Sequence, residues 1–338
     1  MPSFSDFLYT QLFLNIGKPT TSFASKTVII TGASSGLGKE AAKHIVRLGA
    51  SKVILGCRNI SKGNKARLEI ETALRCSPDI IDVWQVDIEF PDSIAEFVKK
   101  VNGLPRLDVL INNAGIQTVN YQVSYGIERT IGVNVIGTFL LALQLLPKLR
   151  ETANKFRTTP HMTFVGSALY DMAKYPEEHG DDIFAWFSDK SHVNMTDHNQ
   201  YNLSKLLLLY GIIKLASIVD PVSDKSRDSS PIVINSLDPC FCKTEISGEF
   251  TGGLKIIFKI FEWMFARSAE EGSRLVVTAA GAGRQTHGGY MRAGALQDYA
   301  PFVTSEDGMK KTNYVWDCIS TKLETLQPGI MANVNLVR

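Results

Sequence analysis

Cysteine is scarce in this chain, with five in 338 residues: Cys57, Cys76, Cys240, Cys242 and Cys318. So sparse and odd a set argues against a secreted disulfide framework and fits a reducing, cytoplasmic setting. Cys240 and Cys242 stand one residue apart with no matching pair beside them, and His161, His179, His192 and His198 show no ligand spacing. No metal site is expected. An excess of charge is also lacking, since 36 Lys and Arg meet 34 Asp and Glu for a formal net charge of +2. That balance argues against a protein built to neutralise a phosphate backbone, so nucleic acid is not an expected partner. Internal repeats and long polar linkers are missing too.

The first residues hold no long apolar run. They lack a basic leader, and the apolar stretch from Leu8 to Ile16 is broken by Thr10, Gln11 and Asn15. Neither a signal peptide nor a transmembrane segment is expected there. Residues 1–25 read as an N-terminal extension, its short apolar helix packed on the body or, alternatively, touching a membrane surface.

What is present is an ordinary globular composition, 44% hydrophobic and 21% charged, with a regular alternation of patterns. Val28-Ile29-Ile30 is a short β-rich run, followed by a glycine-rich turn, a helical stretch over 39–48 and a second run at Val53-Ile54-Leu55. This is the size and order of a βαβ unit, and its continuous apolar strands suit a parallel sheet covered on both faces. The alternation predicts further helices over 61–75, from Asp92, over 127–146 and over 200–219. Strands are expected at 81–86, 109–111, 162–165 and 232–237. The expected fold is α/β, a Rossmann-type doubly wound parallel sheet, with 26–338 forming one domain.

Two segments interrupt the alternation and are expected to be helical substrate lids. Residues 168–199 carry Tyr170, Tyr175, Phe184, Trp186 and Phe187; 245–266 includes the amphipathic run Leu254–Phe265. Long loops inside compact domains tend to be functional, although the second run fits a core or dimer helix equally well.

Gly32-Ala33-Ser34-Ser35-Gly36-Leu37-Gly38 lies where the first strand meets the first helix. There, glycines let the backbone approach a pyrophosphate and the helix N-terminus stabilises its charge. After the second strand, where an acid would accept hydrogen bonds from a ribose 2′-hydroxyl, the chain has Cys57-Arg58-Asn59. A guanidinium at Arg58 suits a 2′-phosphate, so NADP(H) is expected rather than NAD(H). Asp87 and Asn112-Asn113-Ala114-Gly115 follow the third and fourth strands, at the sheet edge where such folds bind ligands.

Tyr201 and Lys205 stand at i and i+4, on one helix face. Ser167 follows the fifth strand and Asn134 lies in the preceding long helix. A free phenol is a poor base at neutral pH, so a neighbouring ammonium is the expected means of stabilising a Tyr201 phenolate. Tyr201 is then suited to proton transfer, and Ser167 to a substrate oxygen on which negative charge develops.

Together, Asn134, Ser167, Tyr201, Lys205 and the Gly32–Gly38 turn resemble the short-chain dehydrogenase/reductase family over about residues 26–244. The stretch Ala266–Arg274 and the long Ser167–Tyr201 spacing are most similar to its retinol-dehydrogenase and WW-domain-oxidoreductase-like branch, which has fungal secondary-metabolism members. The resemblance implies a catalytic tetrad of Asn134, Ser167, Tyr201 and Lys205, with Asn134 holding a water behind Lys205. It also implies cofactor contacts from Gly32, Ser34, Ser35, Gly36, Leu37, Gly38, Arg58, Asp87, Asn113, Ala114 and Gly115, and from Tyr201 and Lys205. Pro239 and Thr244 match the family's Pro-Gly-x-Val-x-Thr loop on the nicotinamide side, but Cys240 replaces its glycine. Cysteine tolerates glycine's backbone conformations poorly, so the path of this loop is in question.

The aromatic supply points to a bulky hydrophobic carbonyl or alcohol, such as a polyketide, terpenoid or retinoid-like compound. The expected activity is NADP(H)-dependent carbonyl–alcohol interconversion, with a role in secondary-metabolite biosynthesis. The alternatives are a non-redox isomerisation or cyclisation on the same scaffold and NADP(H) binding without turnover. A homodimer through the 127–146 and 200–219 helices is possible for this family unless the C-terminal segment covers them.

Overall fold

The protein is described by a computed structural model over residues 4–195, 199–219, 232–244 and 252–335. Its centre is an eight-stranded sheet. The strands, in chain order, are β1 (Thr27–Thr31), β2 (Lys52–Cys57), β3 (Ile81–Gln85), β4 (Val109–Asn112), β7 (His161–Val165), β8 (Val233–Leu237), β9 (Tyr290–Arg292) and β10 (Ala295–Gln297). A small hairpin, β5 (Val123–Ser124) and β6 (Ile127–Glu128), lies outside it. The spatial order β10-β9-β8-β7-β4-β1-β2-β3 reverses direction at β1, and every pairing in the sheet is parallel except β9 with β10. This is the expected doubly wound sheet, and the crevice where its order reverses opens at the carboxyl ends of the strands.

Two layers of helices cover the sheet. On one face lie α2 (Gly36–Arg47), α3 (Ile60–Leu74) and α10 (Ala269–Ala280). On the other lie α4 (Pro91–Asn102), the short α5 (Arg129–Ile131) continuing into α6 (Thr138–Phe156), α8 (Asn199–Val219) and α12 (Glu306–Leu326). The side chains of β1 alternate between the two cores, with Ile29 in the second layer's and Val28 and Ile30 in the first's. That two-sided burial leaves every residue of β1, β4, β7 and β8 buried, without the alternation of a half-exposed strand. Helices 129–156 and 199–219 are apolar and long enough to span a bilayer, but 89% and 72% of their apolar 18-residue stretches are buried inside the molecule. They are core helices.

The remaining helices of the described residues are short or outside these layers: α1 (Phe4–Leu8), α7 (Ile183–Ser188), α9 (Gly252–Phe265), α11 (Pro301–Thr304) and α13 (Ala332–Asn335). Of the expected second lid, residues 245–251 lie outside the described residues, and 252–265 form α9. The C-terminal helix α12 packs on α8, and its Trp316 meets Phe139 of α6 edge-on at 6.0 Å. The segment therefore covers part of the surface on which α6 and α8 would pair with a second copy.

The N-terminal extension is woven into the body. Helix α1 runs into a π-turn at Tyr9–Phe13, and the following strand-like run buries Ile16 and Phe23 in the first core. Two arginines anchor it. The guanidinium of Arg267, 7% exposed, donates to the carbonyls of Thr10 (2.7 and 3.0 Å) and Leu14 and pairs with Glu271 at 3.1 Å. Seven residues on, within α10, Arg274 donates to Ile16 O at 2.6 Å. Helix α10 is itself started by a capping box between Ser268 and Glu271.

Replacing Arg267 leaves these buried carbonyls without a donor, at ~1–3 kcal/mol for each group that water cannot reach. Arg267→Ala is expected to lower the urea-unfolding free energy by about that much and to speed proteolysis within residues 4–16. Unchanged protease resistance of that segment would remove the anchor from this account.

Candidate active site

The loops after β1, β4, β7 and β8 all emerge at the same edge because their strands are parallel, and together they wall a cavity of about 930 Å³. Ser167, Tyr201 and Lys205 line it, as do Gly32, Ser35, Gly36, Leu37 and Arg58. Asn113, Ala114 and Gly115 contribute from the loop after β4, and Pro239 and Thr244 from the loop after β8. Residues expected from two ends of one reaction thus share one space. Ser34, Gly38, Asp87 and Asn134 do not contribute to the wall.

At the nucleotide end, α2 begins at Gly36, and the Ser35 side chain does not cap it. Its first N–H groups are left for a ligand, as an anion site requires. Gly36 takes φ +55°, a left-handed conformation that costs an L-residue ~1–2 kcal/mol. Gly38 is needed for another reason: a Cβ there would fall 2.7 Å from both Asn113 Nδ2 and Gly32 O. Asn113 holds this turn against the loop after β4, its Nδ2 donating to Thr31 O at 2.8 Å. Thr31 Oγ1 in turn accepts from the N–H groups of Asn113 and Ala114 at 3.0 and 2.9 Å. Arg58 is exposed beside the cavity and forms no ion pair among the described residues. Asp87 sits in a turn, its Oδ1 accepting from Glu89 N at 3.1 Å and its N–H donating to Ser93 Oγ at 2.9 Å.

At the reacting end, α8 follows β7, so its first turn carries Tyr201 back to the carboxyl edge of the sheet. One turn on, Lys205 is 7% exposed, and its Nζ donates to Val165 O at 3.0 Å and lies 5.5 Å from the Tyr201 ring centre. Asn134 sits in a π-helical segment, Gly132–Gly137, an irregularity common at functional sites. Its side chain bridges both backbone groups of Ile116, accepting at 2.8 Å and donating at 2.9 Å, and Nδ2 also donates to Ser204 Oγ at 3.0 Å. Gly115 lies against both: a Cβ there would be 3.2 Å from Asn134 Oδ1 and 3.8 Å from Lys205 Nζ. Asn134 therefore fixes the loop that Lys205 faces. Ser167 Oγ accepts from Leu169 N at 3.2 Å, which leaves its hydroxyl proton for another acceptor.

The electrostatics differ from the sequence expectation. Burial, and then the nearby Asp238 charge, push the Tyr201 phenol above its usual value, and burial brings Lys205 down to about 8. Burial favours the neutral form of each group, so Tyr201 rests as a protonated acid and not as a phenolate.

Asp238 and Arg292 were missed in the sequence. Both line the cavity, 3.7 Å apart, and Asp238 Oδ1 accepts from Ala168 N at 3.1 Å, steadying the chain just after Ser167. An acid directly after a strand, next to Pro239, was the available signal; Arg292 comes from β9, which gave none.

The loop after β8 answers the question raised by Cys240. Cys240 takes φ +66° and is buried, so the backbone keeps the left-handed turn a glycine would make and accepts its strain. A neighbouring bridge between Cys242 and Arg267 ties this loop to the start of α10.

The expected aromatic lid needs correction. Tyr170, Phe184 and Phe187 are buried in the main core; Tyr175 packs on His179, and Trp186 stacks on His192 at 3.9 Å. None lines the cavity. From 168–195 the wall takes Ala168, Leu169 and Met172, while His198 lies outside the described residues. The aromatic surface comes instead from Phe7, Phe241, Phe258 and Phe261.

Known proteins are similar to this chain in sequence and in fold. Residues 26–155 match the family model described as short chain dehydrogenase. The chain is 38% identical over 330 residues to the short chain dehydrogenase/reductase dmxR8 of Cryptosporiopsis sp., covering 97% of this chain and 99% of that one. It is 36% identical over 329 residues to the short chain dehydrogenase FGM9 of Gibberella zeae, covering 97% and 94%. Among solved structures, a Mycobacterium paratuberculosis protein is similar with a TM-score of 0.64 at 24% identity, over 91% of this chain and 96% of that one. A short chain dehydrogenase of Shigella flexneri complexed with NADP gives 0.58 at 20%, over 81% and 99%. At these identities the two structures attest the fold.

The lowered Lys205 value makes a stability prediction. Between about 8 and the ordinary 10.5 the unfolded chain still holds a proton that the native site has released. Stability contributed by this group therefore rises with pH across that window and is absent below it. Relative to Lys205→Met, the wild-type protein is expected to gain up to ~1.4 kcal/mol per pH unit there. Urea unfolding of both proteins at several pH values checks this, and a flat difference would contradict the buried ammonium.

Proposed function

Because the chain belongs to the short-chain dehydrogenase/reductase family, we propose that it is an NADP(H)-dependent oxidoreductase acting on a bulky hydrophobic carbonyl or alcohol. The observation that carries this reading is the meeting of Ser167, Tyr201 and Lys205 with the uncapped start of α2 and with Arg58 around one cavity. The residues fit a phosphorylated dinucleotide. The N–H groups that open α2 and the glycines at 32 and 36 receive the pyrophosphate, Arg58 the 2′-phosphate, and Thr244 the nicotinamide side. Crystallisation of the Shigella flexneri relative with NADP supports the same choice.

When bound, the nicotinamide supplies or accepts the hydride. Everything else falls to the chain. Ser167 Oγ–H donates to the substrate oxygen as negative charge gathers there, and Tyr201 Oη, held protonated by burial, delivers its proton to the same oxygen. Lys205, whose lowered value of about 8 still leaves it mostly cationic at neutral pH, stabilises the phenolate that remains. Val165 O fixes the ammonium, and Asn134 fixes the Ile116 backbone beside it. The aromatic part of the wall supports a polyketide-, terpenoid- or retinoid-like substrate of secondary metabolism. The five free thiols support a cytoplasmic setting.

A panel of hydrophobic ketones and alcohols, followed at the nicotinamide absorbance, is expected to give turnover that Tyr201→Phe lowers by ~10²–10⁴-fold, the usual worth of a general acid. Product formed with no absorbance change would replace this reading by a non-redox isomerisation or cyclisation. In the same assay Arg58→Ala is expected to weaken NADPH binding at least ~10-fold, or ~1.4 kcal/mol, and to leave NADH nearly unchanged. Wild-type preference for NADH by that factor would contradict the role given to Arg58.

A further inference from the structure

The wall of the cavity includes two residues from the extension, Phe7 of α1 and Gln11 of the π-turn that follows. Neither is a chance neighbour. The Phe7 ring stacks on Phe261 of α9, with centres 6.0 Å apart and planes at 13°, and touches Phe265 at 6.2 Å. Phe261 in turn lies 5.4 Å from Phe241, and Phe241 meets Phe258 edge-on at 5.8 Å. Four of these rings, Phe7, Phe241, Phe258 and Phe261, face the same space as Tyr201 and Ser167.

Gln11 joins the extension to the loop after β8. With its amide nitrogen turned toward Phe241 O and its oxygen toward Phe241 N, it makes two hydrogen bonds of 3.1 and 3.0 Å. It thereby pairs with the backbone of the residue that follows the left-handed Cys240. Gln11 is 7% exposed, and the neighbouring carbonyls of Thr10 and Leu14 are held by the buried Arg267 guanidinium. Arg267 N also donates to Phe241 O at 2.9 Å. A segment that surface packing alone would leave free is thus tied on two sides, and its tie points are the loop and helices that bound the cavity.

We infer that the N-terminal segment is part of the substrate site, with Phe7 selecting the ring-bearing apolar portion of the carbonyl substrate and Gln11 positioning the Phe241 backbone. The inference rests on the reading that this cavity takes a carbonyl compound. Aromatic rings recognise one another through offset and edge contacts, and a face assembled from four phenylalanines favours a planar fused-ring group over an open aliphatic chain of equal polarity. Selectivity of this kind acts on affinity for the ring system and leaves the reacting end untouched.

A matched pair of 1,2-dicarbonyls isolates the effect: 9,10-phenanthrenequinone carries three fused rings, and 2,3-butanedione carries none. Binding of the quinone is measured by calorimetry with NADP+ present, and NADPH oxidation is followed with both compounds, using the full chain, Phe7→Ala and Phe7→Leu. The expected result is that Phe7→Ala weakens quinone binding and raises its KM about tenfold, corresponding to ~1.4 kcal/mol. The KM for butanedione, the kcat for both compounds and the affinity for NADPH stay as in the wild type, and Phe7→Leu, which restores apolar bulk without a ring, recovers little of the loss. Wild-type quinone binding by Phe7→Ala overturns the inference, as does failure of the wild-type protein to bind the quinone. Parallel losses for quinone, butanedione and NADPH overturn it too, because they mark a structural role. Quinone binding that depends on Phe7 without any NADPH oxidation upholds the ring-binding wall and shows only that the quinone is not reduced, and the panel of ketones and alcohols then decides the oxidoreductase reading.

Discussion

The burial of one ammonium group organises the reacting end of this molecule. Lys205 leaves water on the first turns of α8 and takes the carbonyl of Val165, the last residue of β7, as its fixed acceptor. A charge removed from water demands such a partner, and the demand locks the helix to the strand in one rotation and one register. That rotation sets Tyr201 on the cavity side of the same helix and keeps Ser167, two residues beyond Val165, within the same wall. The π-helical turn around Asn134 belongs to the same constraint. It brings an amide to Ile116 and Ser204, so that the loop after β4, the helix α8 and the long helix before it meet around the buried nitrogen.

Much of this was legible from residue patterns because the signals are local. Buried parallel strands such as β1 and β2 read as short apolar runs, and their observed ends differ from the expected ones by one or two residues. The glycine turn, Arg58, Ser167 and the Tyr201–Lys205 spacing are also local, and they converge because parallel strands send their loops to one edge. Burial is not local. The aromatics of 168–199 and of α9 looked equivalent as sequence, yet Tyr170, Phe184 and Phe187 fill the main core while Phe258 and Phe261 face the cavity. Phe7 and Gln11 were equally hidden, since their place depends on Arg267, more than two hundred residues away in the chain. The pKa of Tyr201 belongs with these. Helical spacing showed an ammonium nearby but could not show the burial that raises the phenol.

The loop after β8 shows how the two kinds of constraint combine. Its backbone needs a left-handed residue, and Cys240 supplies it against its own preference. The strain persists because the loop is held from outside, by Gln11 on Phe241 and by the bridge from Cys242 to Arg267. Strained residues of this sort survive where the surroundings over-determine them. The N-terminal segment, the loop and the start of α10 therefore form one unit, and disturbance at any of them reaches the cavity.

Cys240 also has a chemical consequence. It sets a sulfur in the wall of a cavity proposed to receive carbonyl compounds, many of which, such as quinones and enones, alkylate thiolates. Burial, reinforced by the Asp238 charge, pushes this thiol up to about 12. At neutral pH the sulfur is almost wholly protonated and correspondingly slow to attack. The same burial that raises the Tyr201 phenol thus leaves Cys240 a weak nucleophile toward an electrophilic guest in that cavity.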